Sequence, residues 1–468
     1  MRNRFNNITS KEWLPFQKSW FIDQGDEETY RSNLRFFLRL DDSLPQNIFY
    51  FGDNQGEKTI KKVAKSLNIK VFSPKSIQKI PELQLILIDI RRQEENLSLS
   101  AYRKLKKEVL EWAQTLYPYL IHRRFLSIMH QNTLHRGHYL PFAWDMSKML
   151  ATGLSRRDEK IGCYENPHAS AKKYAPFTQA TYYFSYFRKD EHSPGEFSMP
   201  DINFFQKIKL EKNQFKTEVP NWKIFRPKRR NKNEILHPAK FPEEVAQFFI
   251  ERFTRPKANV FDPMSGTGST QLAALQTNRN GYGTELSAFF IEIAHTRITT
   301  LVETLTQKPK HKLLLKDARR ITKRDFPPID YLFTSPPYWD MLNMKGAENQ
   351  ATRKAKGLQL NYSDDTHDLG NISEYDEFVD ELCNIYFKLA QKMSPGAYLT
   401  IIVKNIKKKG KSYPLADDLA WKLQEHFTLL PEFFWLQDDL RLAPYGYGYT
   451  FVSNTFHQYC LTFRKKTP

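Results

Sequence analysis

The sequence has few cysteines and no long apolar segment. Only three of its 468 residues are cysteine, and they are widely spaced without a metal-ligand pattern, as is typical of a protein kept in a reducing cytoplasm. No run of about 18 apolar residues occurs, so no transmembrane helix is predicted. The opening stretch, MRNRFNNITSKEW, lacks the apolar core of a secretory signal. These absences predict a cytoplasmic protein without disulfide bonds or a membrane partner.

Positive charge is what the sequence has in excess. Lysine and arginine number 71 against 52 acidic residues, which gives a formal net charge of +19. Such an excess favours a polyanionic partner, most often nucleic acid; a generally basic protein is the alternative. A hydrophobic content of 40% indicates a globular chain with a substantial core. No internal sequence repeat or low-complexity block is evident.

Residues 1–230 are predicted to form an N-terminal α/β or α+β region. Within 47–90 the segments NIFYFG, EKTIKKVAKSL, IKVFS and LQLILIDI alternate between strand-like and helix-like patterns. A long amphipathic stretch follows over about 100–129. The basic run KIFRPKRRNK at 223–232 is interpreted as the domain boundary. It is either a solvated linker or an arm that contacts phosphates.

Residues 231–468 alternate strands and helices more regularly, which predicts a mostly parallel sheet with helices on both faces. Two strand-like runs around a turn close the chain and predict a C-terminal antiparallel hairpin. The stretch ANVFDPMSGTGST places Asp262 at the end of a strand and a glycine-rich turn before a helix. In a doubly wound sheet this turn binds nucleotide-like ligands, and Gly266 and Gly268 permit a close approach of the backbone.

Two acidic residues follow at the ends of the next strands. Glu285 is placed to accept hydrogen bonds from both ribose hydroxyls of such a ligand, and Asp317 to contact an adenine amino group. Capping of helix N-termini is the alternative for both. A phosphate-binding loop is disfavoured because no Lys-Ser or Lys-Thr follows the glycines. GDNQGEKT at 52–59 misses that spacing too.

A second motif, TSPPYW at 334–339, ends the apolar run YLF with two prolines. The order of DPMSGTGST, the two acids and TSPPYW resembles S-adenosylmethionine-dependent DNA methyltransferases that modify exocyclic amino groups. HPAKFP at 237–242, YSDDTHDLGNISEYDEF and HQYCLTFRK also resemble segments of these enzymes. The resemblance covers roughly residues 234–468. It implies a Rossmann-like class I methyltransferase domain over 231–468, with 1–230 as a probable DNA target-recognition region.

The resemblance also implies roles for individual residues. For S-adenosylmethionine these are His237, Lys240, Asp262, Pro263, Ser265, Gly266, Thr267, Gly268, Glu285, Leu286, Asp317, Ala318 and Ser335. The catalytic residues are Ser335, Pro336, Pro337 and Tyr338. DNA contacts are expected from Trp339, Lys345, Arg353, Lys354, Arg226, Arg229 and Arg230. Surface positions are the alternative for His237 and Lys240, and a solvated loop for the basic insertion after the corner.

The TSPPYW corner suits methylation of an amino group, because an exocyclic amino nitrogen is a poor nucleophile until its hydrogens are accepted by fixed oxygens. The Ser335 hydroxyl and the Pro336 carbonyl offer such oxygens, and the prolines hold the corner stiff. Tyr338 offers a stacking face to a base flipped out of the duplex. A surface turn with packing aromatics is the structural alternative.

Serine in the first position resembles the cytosine-N4 enzymes more than the adenine-N6 enzymes. Many cytosine-N4 enzymes place the catalytic motif before the cofactor loop, whereas here the loop comes first, so adenine N6 stays open. The same chemistry on RNA and a non-catalytic DNA-binding protein are the rival functions. Double-stranded DNA and a cognate restriction endonuclease are the expected partners. His122, His130, His135 and His138 lack a ligand spacing, and no metal site is predicted.

Overall fold

The structure is a computed structural model that describes most of the chain. The described residues are 3–41, 43–75, 79–94, 97–135, 138–164, 181–199, 222–226, 241–337, 339, 368–408, 411–439, 442–444, 446–449, 451 and 453–466. The chain divides into two compact units. The first comprises Met1–Trp222, Lys407–Tyr413 and Leu436–His457, and the second Lys223–Ile406, Pro414–Trp435 and Gln458–Pro468. The predicted boundary near residue 230 lies outside the described residues.

The first unit is built around a mixed sheet of seven strands. They are β1 Trp20–Ile22, β2 Asn47–Gly52, β3 Lys70–Phe72, β4 Leu83–Asp89, β5 Leu120–His130, β8 Ser155–Cys163 and β9 Thr181–Arg188. A separate hairpin, β6 Thr133–His135 and β7 His138–Leu140, follows β5. The strand order in the sheet is β3-β2-β4-β5-β9-β8-β1. Strands β3, β2, β4 and β5 run parallel, and β9 is antiparallel to β5.

Helices cover both faces of this sheet. They are α1 Ser10–Phe16, α2 Asp26–Phe37, α3 Asn54–Ser66, α4 Arg91–Glu94, α5 Leu99–Leu116 and α6 Phe142–Leu150. Every residue of β4 is buried. Ile86 and Ile88 face a core cluster that includes residues of α5 and α6, whereas Leu85 and Leu87 face a cluster that includes residues of α2 and α3. A parallel strand covered on both faces is expected to be apolar throughout, as LQLILID is.

The amphipathic stretch over about 100–129 is divided between a helix and a strand. Helix α5 ends at Leu116, a 3-10 turn follows at Tyr117–Tyr119, and β5 begins at Leu120. Pro118 lies in that turn; because its nitrogen carries no hydrogen and its ring clashes with the preceding turn, it cannot continue the helix.

The second unit contains most of a nine-stranded sheet. Its strands are β10 Trp222–Ile224, β11 Asn259–Asp262, β12 Asn280–Glu285, β13 His311–Leu315, β14 Ile329–Thr334, β15 Met393–Val403, β18 Phe427–Leu429, β19 Phe433–Leu436 and β20 His457–Lys465. The order is β10-β19-β20-β15-β14-β11-β12-β13, with β18 also paired to β20. Strands β13, β12, β11, β14 and β15 are parallel, and β20 is antiparallel to β15.

Among the described residues, five helices accompany this sheet, and a further hairpin follows β15. The helices are α7 Glu243–Phe253, α8 Ser269–Gln276, α9 Ala288–Thr304, α10 Tyr375–Ala390 and α11 Leu415–Leu423; the hairpin is β16 Ile406–Lys408 with β17 Lys411–Tyr413. The predicted Rossmann-like α/β fold is confirmed. The predicted C-terminal hairpin is corrected: in the described residues the last strand, β20, pairs antiparallel with β15 and β18 rather than with the run directly before it. No helix in the described part of the chain has the length and apolarity to cross a membrane.

Candidate active site

The glycine-rich loop between β11 and α8 has the positive φ angles at glycine that its sequence predicts. Gly266 and Gly268 have positive φ angles of 53° and 82°, a left-handed conformation that glycine adopts without strain. A third glycine, Gly283 in β12, permits the loop to lie against this strand. A Cβ atom on Gly283 would overlap the Ser265 hydroxyl and lie 2.6 Å from the Asp262 carbonyl oxygen. The loop geometry therefore depends on glycine at all three positions.

Asp262 joins this loop to the neighbouring strand. Its Oδ2 accepts a hydrogen bond from the Thr270 hydroxyl at 2.6 Å, and its Oδ1 accepts from the Thr334 hydroxyl at 2.7 Å and from the Met264 N–H at 3.0 Å. Desolvation raises the pKa of this buried carboxyl to about 6 in spite of these bonds. Asp262 therefore fixes the loop to Thr334, the residue directly before Ser335 in the TSPPYW corner. Its predicted contact with the cofactor stays a prediction.

Glu285 closes the other side of the loop. Its Oε2 accepts from the Gly266 N–H at 2.7 Å, and its Oε1 accepts from the Ser287 N–H at 2.8 Å. The side chain lies at the carboxyl end of β12 and is partly exposed. Desolvation raises its pKa to about 7, and the nearby Asp368 carboxylate adds to the rise. Each carboxylate oxygen keeps acceptor capacity for a further donor.

Asp317 follows β13 and pairs with a neighbouring arginine. The Arg319 guanidinium donates two hydrogen bonds to Asp317 Oδ2, from Nη2 at 2.7 Å and from Nε at 3.0 Å. Desolvation acts to raise the pKa of Asp317, but the hydrogen bonds from Arg319 outweigh it and hold the pKa below its usual value. Asp317 also caps the 3-10 helix that begins at Ala318. A contact between Asp317 and an adenine amino group has to share this carboxylate with Arg319.

The TSPPYW corner lies at the end of β14, beside the strand that carries the loop. Strands β11 and β14 are parallel neighbours, with Val260 opposite Tyr331, so their carboxyl ends meet at one edge of the sheet. The Ser335 hydroxyl donates to the Ile402 carbonyl oxygen at 3.3 Å. Because its hydrogen is directed at Ile402, the lone pairs of this hydroxyl are available as acceptors. The corner and the loop therefore occupy one site.

Trp339 is buried in this structure, with only 4% of its surface exposed. Its ring meets Tyr375 of α10 edge-on, with the centroids 5.3 Å apart. Trp339 thus packs the chain after the corner against a helix, and its expected DNA contact stays a prediction. Arg226 is exposed. The other residues predicted for the site or for DNA, namely His237, Lys240, Tyr338, Lys345, Arg353, Lys354, Arg229 and Arg230, lie outside the described residues.

Two supporting interactions were missed from the sequence. Arg297 of α9 donates to the Thr267 carbonyl and, at 2.6 Å, to Glu243 Oε1, while the Ser269 hydroxyl donates to the same oxygen at 3.0 Å. Glu243 and Arg297 therefore brace the loop from two helices. Thr334 is the other omission, since its link to Asp262 carries no sequence signal beyond its position before Ser335. The described residues contain no group of three or more His, Cys, Asp or Glu that could hold a metal ion.

Comparison with known proteins bears on the identity of this site. The sequence model of a family described as DNA methylase matches residues 86–296. Over these residues the chain is similar to the DNA methylase family. The match ends before Ser335, so it does not test the TSPPYW corner. S-adenosylmethionine is the cofactor that goes with this family.

The similar proteins share short segments with this chain. Type II beta methyltransferase M.BslI of Bacillus sp. (strain NEB-606) is 33% identical over 94 residues, which are 20% of this chain and 10% of that protein. Orphan methyltransferase M.BamHII of Bacillus amyloliquefaciens is 38% identical over 72 residues, 15% of this chain and 27% of that protein. The chain thus spans less than a third of either relative. Magnesium protoporphyrin IX methyltransferase of Synechocystis PCC 6803 matches 50% of this chain and 79% of its own at 12% identity, with a TM-score of 0.29.

The residues present fit S-adenosylmethionine. Gly266 and Gly268 give the loop between β11 and α8 its left-handed turns, and Glu285 at its edge keeps spare acceptor capacity. Gly283 leaves room where a side chain would push the loop outward. Asp262, in contrast, has both oxygens engaged within the protein. The donor and acceptor set therefore suits a ligand with hydroxyl groups near Glu285.

Proposed function

We propose that the second unit transfers the methyl group of S-adenosylmethionine to an exocyclic amino nitrogen of a base in DNA, with cytosine N4 as the preferred acceptor. The observation that supports this most is the hydrogen bond between Asp262 and Thr334, 2.7 Å long. It holds the cofactor loop and the Ser335 corner in a fixed relation across two adjacent strands. Pre-set geometry of this kind supplies much of the rate in a direct displacement.

In this proposal, Gly266 and Gly268 bring the loop close to the cofactor, and Glu285 accepts the ribose hydroxyls. S-adenosylmethionine supplies an electrophilic methyl group when bound. The Ser335 hydroxyl, oriented by Ile402, and the Pro336 carbonyl accept the two amino hydrogens of the base. Accepting both hydrogens localises the lone pair of the amino nitrogen on one side. Methyl transfer to this nitrogen breaks the bond between the methyl carbon and sulfur, releases S-adenosylhomocysteine and ends with the loss of one amino hydrogen to water as a proton. The rigid Pro336–Pro337 step keeps these acceptors in place before the base arrives.

Cytosine is favoured over adenine because of Ser335, which resembles the first residue of the cytosine-N4 motif. A role in a restriction-modification system, a cognate endonuclease and a cytoplasmic location belong to the same proposal. The formal charge of +19 supports a polyanionic substrate, and the DNA methylase match supports DNA.

The direct test is product analysis. The full chain is incubated with S-adenosylmethionine carrying a deuterated methyl group and with unmethylated bacterial genomic DNA or total RNA. The nucleic acid is then digested to nucleosides for mass spectrometry. We expect deuterated N4-methylcytosine from DNA, reduced at least tenfold with Pro337→Ala. N6-methyladenine would overturn the base assignment, label in RNA alone would overturn the substrate, and no transfer to either would contradict the activity.

Cofactor affinity is expected to rise between pH 6 and pH 8. Burial raises the pKa of Glu285 to about 7 in the free protein, and the ionised carboxylate is the form that accepts two hydroxyl donors. Below pH 7 the Glu285 carboxyl is mostly protonated in the free protein, so cofactor binding has to displace a proton. The cofactor affinity therefore falls by up to about tenfold for each pH unit below 7. Isothermal titration with S-adenosylhomocysteine at pH 6, 7 and 8 measures this change.

Glu285→Gln is the matched control for this pH dependence. The amide keeps the size of the side chain but has one acceptor oxygen and does not titrate. We expect weaker binding at pH 8 and a flat profile between pH 6 and pH 8. Equal affinity of the wild-type protein at pH 6 and pH 8 would show that Glu285 does not bind the cofactor as an ionised acceptor.

A further inference from the structure

The two sheets share one strand order. In the first copy, residues 47–188, strands run β3-β2-β4-β5-β9-β8; in the second copy, residues 259–465, they run β12-β11-β14-β15-β20-β19. Each copy has four consecutive parallel strands followed by an antiparallel one. The second copy adds β13 at its edge, for which the described residues of the first copy show no counterpart.

The strand registers agree residue by residue. Equivalent pairs are Ile48–Leu85 and Val260–Tyr331, Leu85–Phe125 and Tyr331–Tyr398, and Phe125–Arg188 and Tyr398–Arg464. Each copy also has a register irregularity two residues earlier, at Leu83 and at Ile329. Arg123 and Gly396, two residues before the equivalent Phe125 and Tyr398, both have positive φ angles, 64° and 68°. An agreement at this level exceeds a shared fold class.

Side-chain hydrogen bonds are repeated as well. Asn132 Oδ1 accepts from the Ala143 N–H at 3.0 Å, and Asn405 Oδ1 accepts from the Ala416 N–H at the same distance. The Tyr102 hydroxyl donates to Asp145 at 2.6 Å, and that of Tyr375 to Asp418 at 2.8 Å. Two sequence segments also correspond: NTLHRGHYLPFAWD at 132–145 and NIKKKGKSYPLADD at 405–418. When they are aligned, both have Asn, Gly, Pro, Ala and Asp at the same positions. From these repeated contacts and registers we infer that the two copies derive from one duplicated domain.

The first copy lacks the open cofactor loop. In the second copy residues 263–268 separate β11 from α8. In the first copy only Asp53 separates β2 from α3, and its side chain caps the helix by accepting from the Gly56 N–H at 2.6 Å. Gly56 takes the place of Gly268 but lies in the first turn of the helix. The backbone that faces the cofactor in the second copy is therefore helical in the first.

Side chains fill the space where a ligand would lie. Tyr50 stands at the position of Asp262, and a Cβ atom on Gly56 would overlap its hydroxyl. Asp89 stands at the position of Ser335. Its Oδ2 accepts from the Tyr30 hydroxyl at 2.6 Å and from Arg91 at 2.7 Å, and the hydroxyls of Tyr30 and Tyr50 are 3.2 Å apart. All four side chains, here called the Tyr-Asp-Arg cluster, are buried.

We propose that the first copy is a methyltransferase fold whose ligand site has been replaced by the Tyr-Asp-Arg cluster. The chain then binds one molecule of S-adenosylmethionine, in the second copy alone. The family match over residues 86–296 begins in β4 of the first copy and ends in α9 of the second, so it includes parts of both copies. The inference rests on the proposed function only for the second site.

Hydrogen exchange locates the cofactor. The full chain is compared with and without saturating S-adenosylhomocysteine, and peptides covering 48–73 and 83–94 are compared with peptides covering 260–287. We expect at least fivefold slower exchange in the second-copy peptides and no change in the first-copy peptides, with one molecule bound per chain by equilibrium dialysis. Protection of 48–73, or two molecules per chain, would overturn the inference.

Variants of the Tyr-Asp-Arg cluster test whether these side chains stabilise the fold or bind a ligand. Asp89→Asn weakens the ion pair with buried Arg91, and we expect a melting temperature several degrees lower with S-adenosylhomocysteine affinity within twofold of wild type. Glu285→Ala should leave no detectable binding. An Asp89→Asn protein that melts at the wild-type temperature, or that loses cofactor, would refute the inference. Protection of neither copy would contradict the proposed function instead, and the melting comparison would then decide the inference.

Discussion

Replacing Ser335 by alanine is expected to lower the rate of methyl transfer about 100-fold, the size of effect that follows loss of one fixed hydrogen-bonding group in an active site. The Ser335 hydroxyl donates to the Ile402 carbonyl at 3.3 Å, and its lone pairs are thereby directed away from the strand. Alanine removes an acceptor for an amino hydrogen and leaves the Pro336 carbonyl. Since Ser335 is only partly buried and sits outside β14, the fold should tolerate the change.

Single-turnover transfer separates this effect from binding. The rate constant is measured with enzyme in excess over DNA, and cofactor affinity is measured separately by titration. Ser394→Ala is a matched control, because the Ser394 hydroxyl donates to Asp330 at 2.8 Å, at the opposite end of β14 from the corner. An unchanged rate in Ser335→Ala would remove Ser335 from the chemistry. A loss of cofactor affinity equal to the loss of rate would make it a binding residue instead.

The sequence predicted those parts of the second unit that depend on local pattern. The glycine-rich turn, the acid at the end of β12 and the two prolines after β14 each carry a strong constraint on backbone conformation or position. The pairing of Asp317 with Arg319 was not predictable, because a charged side chain two residues away can turn toward solvent or back toward the carboxylate. Burial of Trp339 likewise depends on where α10 packs, which no pattern within TSPPYW specifies.

The duplication escaped the sequence for a different physical reason. A buried strand such as β4 needs apolar residues of suitable volume, and many combinations satisfy that need; LQLILID and IDYLFT share the requirement more than the letters. Sequence identity between the two copies is clearest at positions that fix the backbone or make buried hydrogen bonds, as in residues 132–145 and 405–418. Loss of the ligand site also removed the glycine motif by which a second copy would be recognised.

Asp262→Ala and Asp262→Asn should differ sharply. Alanine leaves the Thr270 and Thr334 hydroxyls and the Met264 N–H without the Asp262 acceptor. Each of the two buried hydroxyls left without this hydrogen bond costs about 1–3 kcal/mol. The loop is then no longer fixed to β14, so both cofactor binding and transfer should be lost. Asparagine keeps one acceptor oxygen in the same place. It should therefore preserve the fold and cofactor binding while lowering the rate.

The hydrogen bonds to Asp262 stabilise the fold, whereas burial of its negative charge destabilises it. The pH dependence of stability measures the cost of burying the charge. Burial raises the pKa of Asp262 from 3.8 to about 6, so the folded protein binds this proton more tightly than the unfolded chain does. The resulting stabilisation is complete below pH 3.8 and is lost as the pH rises through 6, a change of about 3 kcal/mol. Asparagine does not titrate. Calorimetric melting should therefore show the wild-type protein gaining stability over Asp262→Asn as the pH falls from 7.5 to 5, and a constant difference would mean that the carboxylate is not desolvated by burial.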